Sequence, residues 1–125
     1  MKQKPRILLI DDDVDLVAVM KGTLESKPYE VLTAYNGKEG LEKARKEKPD
    51  LIVLDIMMPV MDGFDFAEQF GKDPSLKKIP VLALTSFSDS LGQPFPFEVS
   101  EFIRKPLKPK DLLAKVEQRL KPKTS

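Results

Sequence analysis

Apolar residues in this chain fall into two patterns. Continuous four-residue runs, Ile7-Leu8-Leu9-Ile10 and Leu51-Ile52-Val53-Leu54, alternate with stretches whose apolar residues recur every third or fourth position. A short continuous run reads as a strand covered on both faces. The wider spacing reads as a helix with one buried side. On this basis strands are predicted near Arg6 to Ile10, Glu30 to Ala34, Leu51 to Leu54, Val81 to Leu84 and Glu101 to Arg104. The helix from about Val14 to Ser26 takes its apolar side from Leu16, Val17, Met20 and Leu24, has Asp13 as a candidate cap, and stops at Pro28. A second helix follows the Asn36-Gly37 turn, from about Lys38 to Lys46, with Leu41 and Ala44 inward. A third runs from about Phe64 to Lys72, with Phe66 or Ala67 and Phe70 inward. The last starts with Pro109 in its first turn and reaches about Leu120 on Leu112, Leu113, Val116 and Leu120. Strand and helix alternate at this length in doubly wound α/β proteins with a parallel sheet.

Both four-residue runs end in acids: Asp11-Asp12-Asp13 after the first, Asp55 after the second. If the two strands are parallel, these carboxylates emerge on one edge, where open α/β sheets bind their ligands. Carboxylates held close together repel, and a hard cation relieves that cost. Composition narrows the cation. The chain has no cysteine and no histidine, which removes the usual zinc ligands, disulfides, and any Ser/His or Cys/His nucleophilic pair. Oxygen ligands alone favour Mg²⁺, Mn²⁺ or Ca²⁺.

The 125 residues suit one domain, with 41% hydrophobic and 33% charged residues placing the chain among globular proteins. Net charge is +1, so bulk polarity points to neither nucleic acid nor a membrane surface. No apolar stretch approaches a membrane span, and the short apolar run after Lys2, Lys4 and Arg6 ends in aspartates, unlike a signal peptide. A cytoplasmic protein is the expectation. The basic ends of the chain, including Lys108, Lys110, Lys121 and Lys123, read chiefly as solvated termini. There is no G-x-G-x-x-G and no Walker loop, which argues against nucleotide binding.

Four pieces in order carry a family resemblance: Ile10-Asp11-Asp12-Asp13; Asp55-Ile56-Met57-Met58-Pro59 with Met61-Asp62-Gly63; Leu84-Thr85-Ser86; and Arg104-Lys105-Pro106. Each lies at a predicted strand end. The chain resembles a response-regulator receiver domain of two-component signalling from about Pro5 to Leu120. The resemblance implies a flavodoxin-like, five-stranded parallel sheet of order 2-1-3-4-5, within a single receiver domain over residues 1–125. It implies that Asp55 accepts a phosphoryl group from a histidine kinase or phosphotransfer protein. It further implies Mg²⁺ (or Mn²⁺) held by Asp11, Asp12 and Asp55 with the backbone carbonyl of Met57. Thr85 would move onto the phosphoryl group, Lys105 would pair with Asp55 and then with the phosphoryl oxygens, and Phe102 takes the place of the switch aromatic. Such a domain is no turnover enzyme. It catalyses only its own phosphorylation and dephosphorylation, and passes the signal to a downstream protein.

The chemistry suits these residue types. Phosphoryl transfer needs an in-line nucleophile and positive charge for the equatorial oxygens, and an aspartate is ordinarily ionised at pH 7. With no histidine, the chain cannot itself carry a phosphohistidine, so the donor is a second protein or a small acyl phosphate. Other readings stand beside these roles. Asp13 is more simply a helix cap than a ligand. Phe102 serves equally as a core or edge aromatic. Met57, Met58 and Met61 are more simply loop packing than a partner surface.

The chain departs from the family pattern between Thr85 and Lys105. That interval is slightly short and carries Gly92-Gln93-Pro94-Phe95-Pro96-Phe97 where an alanine-rich helix is usual. A shortened or missing fourth helix is therefore expected, with Phe95 and Phe97 more simply packed over the sheet edge than offered as a binding patch. Ser86 and Leu107 are milder departures. Phe87 and Met57 would flank the path of attacking water and slow loss of the phosphoryl group. Two other functions compete. One is a receiver-like interaction module that works without phosphorylation. The other is a haloacid-dehalogenase-type phosphohydrolase, which Asp11-x-Asp13 fits superficially but which leaves Asp55 unexplained. The chain stops soon after the last helix, as expected of a stand-alone receiver or one cut from a longer protein.

Overall fold

The apolar runs form the strands, and the amphipathic stretches cover them, in a computed structural model that describes residues 4–55, 63–76, 78–85, 101–104 and 108–120. The order is β1 (Arg6–Ile10), α1 (Val14–Glu25), β2 (Glu30–Ala34), α2 (Gly37–Glu47), β3 (Leu51–Asp55), α3 (Gly63–Gly71), β4 (Val81–Thr85), β5 (Glu101–Arg104) and α4 (Pro109–Leu120). The strands make one five-stranded sheet of order β2-β1-β3-β4-β5. Every adjacent pair is parallel. The expected shortening or loss of a fourth helix falls on residues 86–100, outside the described residues. Phe95, Phe97 and Phe87 lie there too.

Because successive strand residues face opposite sides, each continuous run feeds two cores at once. Ile7, Leu9, Leu51, Val53, Leu82, Leu84 and Ile103 pack with Val17, Met20 and Leu24 of α1 and Leu112 and Val116 of α4. Leu8, Ile10, Ile52, Leu54 and Val81 pack on the other face with Leu41 and Ala44 of α2 and Phe66 and Phe70 of α3. This is why the runs do not alternate with polar residues: neither face of Ile7–Ile10 or Leu51–Leu54 meets water. Phe66 and Phe70, one helical turn apart, stack with centroids 5.4 Å apart.

Local signals set the helix ends. The Asp13 carboxylate accepts the Leu16 N–H at 3.0 Å and caps α1. Asn36 accepts the Glu39 N–H at 2.8 Å and caps α2, and Glu39 reaches back to the Tyr35 N–H at 2.9 Å, one residue before the cap. Lys48 closes α2 in the left-handed region (φ 48°, ψ 67°), its N–H donating to the Ala44 carbonyl. At the opposite edge of the sheet from the acids, Arg6 is more than part of a solvated terminus. Its guanidinium binds Glu30 at 3.2 Å, the Glu47 carbonyl at 3.0 Å and the Glu47 carboxylate at 3.2 Å, tying β1 to β2 and α2.

Candidate functional site

Two strands run one residue further than their apolar pattern, and that places the site. β3 includes Asp55, which pairs in register with Leu84 of β4. β4 in turn includes Thr85, in register with Arg104 of β5. Ile10 is level with both Ala34 and Leu54. Asp11 and Asp55 therefore leave neighbouring strands at the same height. The Asp11 N–H extends the β1–β2 ladder by donating to the Ala34 carbonyl at 3.1 Å.

Carboxylate oxygens of Asp11, Asp12 and Asp55 lie within 4.8 Å of one another. Asp11 is 1% exposed and Asp55 4%, whereas Asp12 faces solvent. One carboxylate oxygen of Asp11 is fixed by the Asp13 N–H at 3.0 Å. Asp13 thus has two jobs: its main chain orients Asp11, and its side chain caps α1. The second matches the cap expected from sequence. The first was missed, although Asp-x-Asp before a helix is a recognisable turn signal, an aspartate accepting from the amide two residues on.

The donor set fits a hard divalent cation. Two oxygens on one such ion sit no more than about 4–5 Å apart, twice a metal–oxygen distance. Without a counter-charge, two carboxylates at 4.8 Å repel by about 0.9 kcal/mol in bulk water and about 3.5 kcal/mol at an effective dielectric constant near 20. Three acids, two of them buried, are an expensive arrangement unless nearby positive charge offsets it. The exposed Asp12 keeps one side open to water, as Mg²⁺ requires when it retains part of its hydration shell.

Of the other expected site residues, Thr85 ends β4 on the strand next to β3, at the acid edge of the sheet. Phe102 lies in β5, in register with Ala83. Nothing is described of either side chain. Met57 and Lys105 lie outside the described residues.

Residues 7–117 match the family model described as the response regulator receiver domain. The chain belongs to that family. This receiver domain is similar to the alkaline phosphatase synthesis transcriptional regulatory protein PhoP of Bacillus subtilis, 35% identical over 114 residues that are 90% of this chain and 47% of that protein. It is also similar to the hybrid signal transduction histidine kinase D of Dictyostelium discoideum, 38% identical over 115 residues, 90% of this chain and 7% of that protein. The chain spans about half the length of the transcriptional regulators among these relatives. Among solved structures, the chemotaxis response regulator CheY4 of Vibrio cholerae superposes with a TM-score of 0.81 at 30% identity, covering 94% of this chain and 99% of that one. The receiver domain of a signal transduction histidine kinase from Syntrophus aciditrophicus gives 0.81 at 31% identity, covering 97% and 96%. Receiver domains are the signalling modules of two-component systems. Among the described residues, no helix is long and apolar enough to cross a membrane.

Proposed function

We propose that this receiver domain is a phosphorylation-dependent switch whose acceptor is Asp55. The observation that supports it most is the convergence of Asp11, Asp12 and Asp55 within 4.8 Å at the edge of the sheet where the strands end. Asp11, Asp12 and Asp55 would hold Mg²⁺, with the Met57 carbonyl as a further ligand. When bound, the ion supplies positive charge to phosphoryl oxygens.

In the transfer, a carboxylate oxygen of Asp55 attacks phosphorus in line with the leaving group. The bond from phosphorus to the donor's imidazole nitrogen, or to the acyl oxygen of a small acyl phosphate, breaks as the aspartyl phosphate bond forms. The donor leaves with the bonding electron pair. β3 and its partners hold Asp55 in place, so little orientational freedom is lost on the way to reaction. Lys105 is assigned the counter-charge to the phosphoryl group and Thr85 the hydroxyl that moves onto it, with Phe102 following. The added charge and acceptor oxygens then bias a two-state surface read by a downstream protein. The donor is a histidine kinase or phosphotransfer protein, and the setting is cytoplasmic. Residues 1–125 act as one receiver domain, without direct nucleic-acid contact.

Intact mass after incubation with acetyl phosphate and Mg²⁺ tests this. One phosphoryl adduct that needs Mg²⁺ and disappears in Asp55→Asn is expected. A folded protein that gains no adduct from acetyl phosphate, nor from a panel of phosphorylated histidine kinases, overturns the proposal and leaves a phosphorylation-independent interaction module.

A further inference from the structure

Gly40 stands in the first half of α2, buried and outside the positive-φ region that favours glycine. Glycine inside a helix costs about 1 kcal/mol relative to alanine, so something else must account for it here. The reason lies in β1. A methyl group at position 40 would stand 2.5 Å from Ile10 Cδ1, 2.8 Å from Cγ1 and 3.1 Å from Cγ2. All three contacts are with one side chain.

Ile10 has little room to yield. It is 1% exposed and shares its core with Ala34, Leu41, Ala44, Leu54 and Phe66. Its branched Cβ restricts χ1, so moving Cγ1 away swings Cγ2 as well. The Cδ1 methyl can rotate by itself, but that leaves Cγ1 in overlap. A methyl at 40 must therefore raise α2 from the sheet or displace the end of β1.

The end of β1 carries the site. The residue after Ile10 is Asp11, held by the Ala34 carbonyl at 3.1 Å and the Asp13 N–H at 3.0 Å. Leu54, level with Ile10, precedes Asp55. Ile10 and Leu54 thus form a floor one residue before each buried acid on adjacent strands, and α2 packs on the Ile10 side of it at Gly40. Metal–oxygen distances scatter by only about 0.2 Å around their ideal values, so a shift of a few tenths of an ångström in this floor is large enough to matter at the ligand oxygens.

We infer that Gly40 is a positioning residue for the acidic centre. By leaving out a side chain it seats α2 on Ile10 and sets the height of Asp11 relative to Asp55. The inference rests on reading that centre as a Mg²⁺ site.

The test compares wild type, Gly40→Ala, Ile10→Val and the double variant. Metal-free ¹H–¹⁵N spectra, Mg²⁺ titrations followed in the same spectra, and thermal melts are recorded for each. Leu76→Ala serves as a control, since it opens the same core layer at a residue remote from the acids in the chain. Gly40→Ala is expected to shift the Asp11 and Asp13 amide signals before any metal is added. Its Mg²⁺ affinity should fall by about tenfold, the low end for losing a group that orients a ligand. Ile10→Val deletes Cδ1, the atom of closest approach, but keeps Cγ1 and Cγ2, so in the double variant it should recover part of the lost affinity, about threefold, a coupling of neighbours.

Unchanged Mg²⁺ affinity in a folded Gly40→Ala overturns the inference. So does a loss that Ile10→Val fails to reduce, or an equal loss in Leu76→Ala. If Gly40→Ala does not fold, the double variant decides: a double variant that folds and binds Mg²⁺ supports the wedge, and failure to fold overturns it. Wild-type protein that binds no Mg²⁺ fails the metal reading itself and takes this inference with it, an outcome distinct from unchanged binding in Gly40→Ala alone.

Discussion

Replacing Asp55 with asparagine should make the metal-free protein more stable while weakening its response to Mg²⁺. The three carboxylates lie within 4.8 Å of one another, and Asp55→Asn removes two of the three repulsive pairs. The pair with exposed Asp12 is worth about 0.9 kcal/mol, the value in water. The pair with buried Asp11 lies between that and about 3.5 kcal/mol. Gross relief is therefore about 2–4 kcal/mol. Asparagine is a weaker acceptor than a carboxylate and forgoes the ion pair with Lys105 that the resemblance implies, and about 1 kcal/mol is given back in these contacts. The net expectation is about 1–3 kcal/mol. Unfolding entropy near 2.1 cal/mol/K per residue gives roughly 0.26 kcal/mol/K for this chain, so Tm should rise by about 4–12 °C. Thermal melts at pH 7 and low salt, in EDTA and then in saturating Mg²⁺, measure it. Mg²⁺ should raise the wild-type Tm by more than that of Asp55→Asn, so the gap closes or reverses. An Asp55→Asn protein that melts at or below wild type in EDTA refutes the reasoning, as does an equal Mg²⁺ shift in both.

Three other outcomes are expected. Asp13→Ala removes the cap on the Leu16 N–H and should cost about 1 kcal/mol by urea unfolding; no change in midpoint would show that α1 does not depend on the cap. Lys48→Gly relieves the left-handed backbone at φ 48° and should stabilise by about 0.5–1 kcal/mol, the strain of about 1–2 kcal/mol less the added entropy cost of glycine; a lower melting temperature would contradict this. The Asp73 carboxylate is held below its ordinary value of 3.8 chiefly by the Ser75 hydroxyl and N–H, and then by Arg45. Its contribution to stability is therefore present above 3.8 and lost as pH falls through its lower folded value. Ser75→Ala should raise the Asp73 titration midpoint, read by carboxyl ¹³C NMR, and flatten stability against pH in that acid window; an unmoved midpoint would remove Ser75 as the cause.

Elements whose cause is local were legible in the sequence. Ile7 to Ile10 and Leu51 to Leu54 announce buried strands because a continuous apolar run has no polar face to offer water. Asp13, Asn36 and Pro109 announce helix starts because each acts within about one turn of itself. The acids at the ends of the first and third strands, with Thr85 and the Lys105-Pro106 pair in order after them, were enough to bring the family resemblance into view. Strand ends were less legible. Asp55 belongs to β3 and Thr85 to β4 because a neighbouring strand extends the ladder, which the residues' own polarity conceals.

Only the tertiary structure decided how distant residues meet. Arg6 looks like part of a basic terminus until the sheet order brings Glu30 and Glu47 to it, and Arg45 acquires Asp73 only because α2 and α3 lie side by side. The spacing of the Asp11, Asp12 and Asp55 oxygens follows from β1 and β3 being adjacent, parallel and level at Ile10 and Leu54. Gly40 is the clearest case. Nothing next to it in the chain calls for glycine, and its reason is a side chain thirty residues earlier on another element. Propensity and periodicity act over a few residues, whereas close packing is a property of surfaces that meet only once the sheet has formed.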